Sequence, residues 1–302
     1  MTSKYKVQSL YIGKKKRKFN VFKLRNTHVW LPMSLKSDTV DFITRNSGYI
    51  VILALIYMLT TFIVIVKPRG FAVPEITDSS ALFGPALAGF ILLLIISGYL
   101  LYRYFTKASP LEQAPFQLIW GASFLIYSLT LLGLALQAWG FDFADMTDPA
   151  IFLVWRSPMI IWVAGIWIGV AKLFVDDSRQ IYIPAFLIVI FGELWFFFSL
   201  LVLQDIEFAM YGFLYWLFVP MAFVLALLWR QYGKKAYLSS PNVIASGFVL
   251  FGIVYLAWAP WHFDELNYIW LVWFNLYLVS LAIILTGFYA LPKEILAKIK
   301  DV

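Results

Sequence analysis

The chain has 302 residues, 62% of them hydrophobic and 19% aromatic, and a net charge of +7. A water-facing surface cannot be built from that composition, which excludes an ordinary soluble domain. There is no cysteine, which excludes disulfides, thiolate metal sites, iron–sulfur clusters and cysteine catalysis.

The first 47 residues hold eleven Lys/Arg against Asp38 and Asp41, a net of +9. Their polar, basic character is not that of a cleavable signal peptide. Within them Lys14, Lys15, Lys16, Arg17 and Lys18 form a compact block, interleaved nearby with Tyr11, Ile12, Phe19, Val21 and Phe22. Anionic lipid attracts such a block by about 1 kcal/mol per basic residue. Residues 1–47 are therefore read as a cytoplasmic segment on the inner-leaflet lipids. The block is short and lacks a recognition fold, so no nucleic-acid partner is expected.

Residues 48–290 read as one transmembrane domain, and 291–302 as a short basic tail. Eight apolar runs follow one another at roughly 49–66, 81–102, 117–138, 150–172, 183–204, 209–229, 242–260 and 267–288. Runs near 20 apolar residues match a hydrocarbon core of roughly 30 Å. They are continuous rather than alternating, which favours helices over barrel strands. Asp148 before Pro149, and Ser240 before Pro241, read as N-caps with proline in the first turn.

The connectors expected inside carry Arg103, Lys107, Lys172, Arg179, Arg230, Lys234 and Lys235. Those expected outside carry only Lys67 and Arg69 as cations, with nine acids. That asymmetry puts both termini in the cytoplasm. The expected architecture is an all-α integral membrane protein of about eight transmembrane helices, in the cell membrane of a prokaryote.

Well inside the runs only Arg156 and Glu193 carry charge. A charge at mid-membrane costs at least about 2.5–3.5 kcal/mol, so such groups pair or serve a site. Arg156 and Glu193 are read as an intramembrane charged pair or a ligand site on two consecutive antiparallel spans. Pro158 and Pro220 kink their spans and free the carbonyls of Val154 and Trp216. Gly165 and Gly169 form a small-xxx-small pair, expected to pack against a neighbour in the same chain. Asn275 and Ser280 are the mild polar groups expected to bond across helices.

His262, Asp264 and Glu265 are expected on the same, outer side of the membrane as Asp142, Asp145 and Asp148, the last three at intervals of three. Their ligand types suit a metal, but one histidine among acids is no motif. An aromatic belt is the favoured reading there, formed by Trp139, Trp155, Trp258, Trp261, Tyr268, Trp270 and Trp273. The two histidines, His28 and His262, fall on opposite sides by this topology, so a bis-histidine haem is disfavoured. The last span has no lysine for a retinal Schiff base.

No catalytic residue and no cofactor are expected: there is no phosphate loop, row of carboxylates or Ser–His–Asp set. The favoured function is a non-catalytic subunit or scaffold of a membrane complex, binding lipid, a hydrophobic ligand or partner subunits. The alternatives are a small transporter or channel at Arg156 and Glu193, and a seven-helix-type sensor without an output domain.

Overall fold

Asp148 shows how this chain starts its helices. Its carboxylate accepts from the backbone N–H of Ala150 at 2.8 Å and of Ile151 at 3.3 Å, and Pro149 opens the helix without losing a donor. Asp177 and Asp205 do the same for the next two, accepting from Arg179 N–H at 2.9 Å and Phe208 N–H at 2.8 Å. Each satisfies donors that the first turn leaves open.

The computed structural model describes residues 83–106, 115–145, 147–175, 177–257 and 267–300, with Ile52 besides. The described residues are helical, joined by short turns, and none is in a strand. The helices are α1 (Phe83–Thr106), α2 (Pro115–Trp139), α3 (Pro149–Ala171), α4 (Ser178–Phe197), α5 (Ile206–Phe213), α6 (Val219–Ala236), α7 (Ser240–Leu256) and α8 (Asn267–Lys300). They cover the second to eighth expected runs; the first, at 49–66, lies outside the described residues apart from Ile52. Among the described residues six helical segments are long and apolar enough to cross a membrane, and α7 is apolar but only 17 residues long.

Two π-turns make longer rods of these pieces. Phe198–Val202 prolongs α4, and Leu214–Phe218 joins α5 to α6. The second falls just before Pro220. Proline has no N–H to give, and the Val219 N–H reaches back five residues to the Leu214 carbonyl. The expected kink at Pro220 is thus a widened turn. Pro184 and Pro292 also stand inside helices and were not singled out from the sequence.

Helices packed in sequence close into a ring. α1 lies along α2, α2 along α3, α6 along α7, α7 along α8, and α8 returns to α1. A lighter contact of α3 with α6 completes it, and α4 packs on the outside of α3. Bulky rings fill the interior: Trp120, Trp155, Trp162, Trp229, Tyr127, Tyr277, Phe124, Phe248 and Phe251 are fully buried. In lipid, helices gain little from leaving an apolar solvent, so this close packing of rings is the main cohesive term. Trp155 and Trp273, expected in an interfacial belt, belong to this core instead. Trp155 donates to the Phe143 carbonyl at 3.3 Å and Trp273 to the Val254 carbonyl at 2.8 Å. Trp139 is exposed.

Trp120 is the hub at the end where α2 begins. Its indole lies edge-on to Phe116, Phe124, Trp229, Phe248 and Phe288, with centroids 5.2–6.2 Å apart. Its N–H donates to the Ile166 carbonyl at 3.0 Å. α3 approaches this closely because Gly169 faces the Trp120 ring and Gly165 faces Ser123. The small-residue pair therefore packs within the chain, as expected.

α7 and α8 meet through a repeated pattern. Ser240, Ile244 and Gly247 recur at the same spacing as Ser280, Ile284 and Gly287. A Cβ on Gly247 would meet the Ile284 N–H at 3.0 Å and the Ser280 carbonyl at 3.1 Å. A Cβ on Gly287 would meet the Ile244 N–H at 2.9 Å and the Ser240 carbonyl at 3.2 Å. The contact is therefore a local two-fold. Ser280 itself donates to the Tyr277 carbonyl of its own helix at 2.6 Å, not across helices as expected.

One carboxylate locks this pair. α8 is 34 residues long, about 50 Å at 1.5 Å per residue, so its last turns lie beyond the apolar stretch. There Glu294 accepts from the N–H of Ser239 at 2.6 Å and of Ser240 at 2.8 Å, and from their hydroxyls at 2.9 and 2.5 Å. α7 is thus capped by a residue of α8. The expected cap, Ser240, is instead the first helical residue. Burial pushes the Glu294 pKa up, but the four hydrogen bonds outweigh it and hold it at about 2. A carboxyl with a depressed folded-state pKa stabilises fully above its unfolded value near 4.3 and loses that contribution as pH falls toward 2. Glu294→Ala is expected to lower stability by about 1–2 kcal/mol at pH 7. Wild type and variant should converge on acidification through that window, as followed by denaturant titration of the purified protein. A gap that persists at pH 2 would show that the carboxylate is not the source.

Candidate functional site

The two charged residues inside the spans come to similar depth. Arg156 is the eighth residue of α3, about 10 Å from its start. Glu193 is nine residues before the end of the α4 rod, about 13 Å. They do not form an ion pair. The Glu193 carboxylate accepts from the Ser157 hydroxyl at 2.9 Å. Arg156, one residue earlier, is turned about 100° around the helix. Its guanidinium lies 5.4 Å from the centroid of the Phe152 ring, and Nη1 stands 4.0 Å from Met159 Sδ.

Glu193 opens outward. With Val189, Ile190, Leu194 and Phe197 it lines a shallow groove along one face of α4. Phe186, Phe191, Leu194, Phe197 and Val202 are all more than half exposed there. The only polar feature among the groove residues is the carboxyl.

Arg156 turns inward. The hydroxyls of Tyr255, Tyr127 and Tyr277 are within electrostatic reach of it. These three phenols come from α7, α2 and α8 and are buried. The Tyr127 and Tyr255 oxygens are 2.7 Å apart, and Tyr277 donates to Tyr127 at 3.2 Å. Rings wall the cluster: Trp162 stacks on Tyr127 at 4.8 Å, Trp273 on Tyr277 at 5.7 Å, and Phe218 lies edge-on to Tyr255 at 4.6 Å. The Arg156 Nε is buried with no hydrogen-bond partner.

The sequence reading missed this tyrosine cluster. The available signal was depth: Tyr127 and Tyr277 stand mid-run, away from the interfaces where tyrosine collects, and a buried phenol needs a partner. Near Pro158, Thr130 of α2 donates to the Trp155 carbonyl at 3.0 Å, the neighbour of the Val154 carbonyl that the proline frees.

The outer acids are otherwise engaged. Asp145 accepts from the Thr147 N–H at 3.0 Å and its hydroxyl at 2.7 Å, and Asp148 caps α3. Asp142 opens a short 3₁₀ turn, Asp142–Ala144. Among the described residues no three His, Asp or Glu side chains gather as metal ligands. His262, Asp264 and Glu265 lie outside the described residues, as do Lys14, Lys15, Lys16, Arg17 and Lys18.

The described residues form an all-helical apolar bundle in which six helical segments are long and apolar enough to cross a membrane, a build compatible with a multi-pass membrane protein. Comparison with known proteins finds no matching family model, no matching curated protein and no matching solved structure.

Proposed function

We propose that the chain is a non-catalytic subunit of a membrane complex and that the outer face of α4 receives a partner transmembrane helix. The observation that carries this is Glu193. An ionised carboxylate has about four acceptor sites, and here a single hydroxyl occupies one. Lipid tails offer no donor at that depth, and an unmatched charge there is costly. A partner helix bringing a lysine, arginine, histidine or hydroxyl to the level of Glu193 removes that cost, and the aromatic face around it supplies the packing. Arg156 and Glu193 as one transport site is the weaker reading, because the two side chains leave α3 and α4 in different directions. The orientation with both termini inside, the contact of Lys14–Lys18 with anionic lipid, and a prokaryotic cell membrane belong to the same proposal.

The test is native mass spectrometry of protein extracted gently from its own membranes, combined with a photo-crosslinker at Leu194. The expected result is one partner chain at fixed stoichiometry, crosslinked through a membrane helix with a donor facing Glu193. Glu193→Leu should cut that crosslink at least about tenfold, the loss of a hydrogen bond to a charged group. Crosslinks to residues 49–66 of the same chain would make the face internal. Crosslinks to lipid alone would end the subunit reading.

A further inference from the structure

We infer that Arg156, Tyr127, Tyr255 and Tyr277 form a binding site for an oxyanion, the carboxylate or phosphate of an amphiphile or small solute. The inference does not depend on a partner at α4.

The argument is a count of donors and acceptors. Three phenols bring three O–H protons, but only two hydroxyl–hydroxyl contacts join them. Whichever way the 2.7 Å contact is oriented, one O–H remains over. Arg156 adds a guanidinium that can donate five protons and accept none. Its Nε is buried without a partner, and its contact with Met159 sulfur is long and weak. Among the described residues no carboxylate bonds to this group, and Glu193 is held by Ser157. Donors therefore converge from α2, α3, α7 and α8 on a region of low dielectric whose acceptors are the phenol oxygens alone, and no hydrogen bond joins Arg156 to any of them. An oxyanion is the complement: it brings negative charge for Arg156 and lone pairs for the spare phenol.

The surroundings set the shape of the ligand. Trp162, Trp273, Phe218 and Phe251 give an apolar wall suited to a hydrocarbon or a ring next to the head group. Arg156 is only partly buried, whereas the phenols are closed off. It is therefore the first group a ligand meets. A cation alone attracts any anion at a membrane surface. The one spare phenol O–H beside it, with the guanidinium protons, selects an anion that accepts hydrogen bonds from more than one direction.

The experiment is thermal unfolding of the full chain in neutral detergent with three probes: oleate, mixed micelles of phosphatidylglycerol, and inorganic phosphate. At a hundredfold excess over Kd a bound probe should raise Tm by roughly 5 °C. Tyr255→Phe removes one oxygen and little else, and should weaken the apparent affinity about tenfold or more, as should Arg156→Gln. Arg156→Lys should restore part of it. A response to oleate or phosphatidylglycerol alone identifies an amphiphile; a response to inorganic phosphate identifies a soluble anion. No Tm response to any probe, or the same response in wild type, Tyr255→Phe and Arg156→Gln, overturns the site. If Arg156→Gln does not fold, the Tyr255→Phe comparison decides alone.

Discussion

Replacing Trp120 by alanine is expected to cost about 3–5 kcal/mol of stability, the largest loss from any single substitution in the described core. Trp120 is fully buried and touches rings from α2, α6, α7 and α8 at once. Truncation deletes those contacts and leaves a void too enclosed to collapse. It also strips the Ile166 carbonyl of its N–H donor. In lipid the loss is of dispersion and hydrogen bonding rather than of water exclusion. Unfolding by sodium dodecyl sulfate in bicelles reads it directly. A cost below about 1 kcal/mol would mean that the ring cluster is not what holds the bundle. Trp120→Phe makes the test sharper. It keeps a ring but removes the indole edge that faces Gly169. Gly169→Ala should destabilise by about 1–3 kcal/mol beside Trp120 and by much less beside phenylalanine.

The second large effect is at the α7–α8 crossing. Gly287→Val and Gly247→Val should each cost about 3 kcal/mol or more, because the obstruction is backbone and cannot rotate away. Trimming Ile244 or Ile284 to alanine should rescue little, since the N–H and carbonyl at the contact remain. Gly98→Ala is the control: nothing lies within 4 Å of its Cβ position, so the change should be neutral or mildly stabilising. Equal costs at Gly247 and Gly287 are the signature of the local two-fold. The same bicelle titration checks all three, and a Gly287→Val protein as stable as Gly98→Ala would refute the close approach.

Depth was legible in the sequence, and direction was not. Counting residues along two antiparallel runs puts Arg156 and Glu193 within reach of each other. Whether they meet depends on rotation about each helix axis, which hydropathy does not encode when a run is apolar all round. One residue of offset decides it: Ser157 takes the carboxylate, and Arg156, about 100° around the helix, lies within electrostatic reach of the phenols. Local signals behaved differently. Asp148–Pro149 reads as a cap because all its partners lie within three residues. The cap of α7 was out of reach, because its acceptor, Glu294, is 54 residues away. Tyr127 and Tyr277 are separated by 150 residues and could not be joined without a bundle. The Ser–Ile–Gly repeat was on view throughout, but it becomes a contact only once α7 and α8 are set antiparallel in one register.

That two-fold contact has no means of choosing its mate. A surface complementary to its own copy would grip a second α7 as readily as α8, provided the two ran in opposite directions. In a bilayer they cannot: every copy of α7 is inserted with the same polarity, so two of them always point the same way. The selectivity missing from the helix faces is supplied by the direction of insertion. In detergent or during refolding from a denatured chain that restriction is lifted, and the α7 seam becomes the surface through which separate copies can mispair.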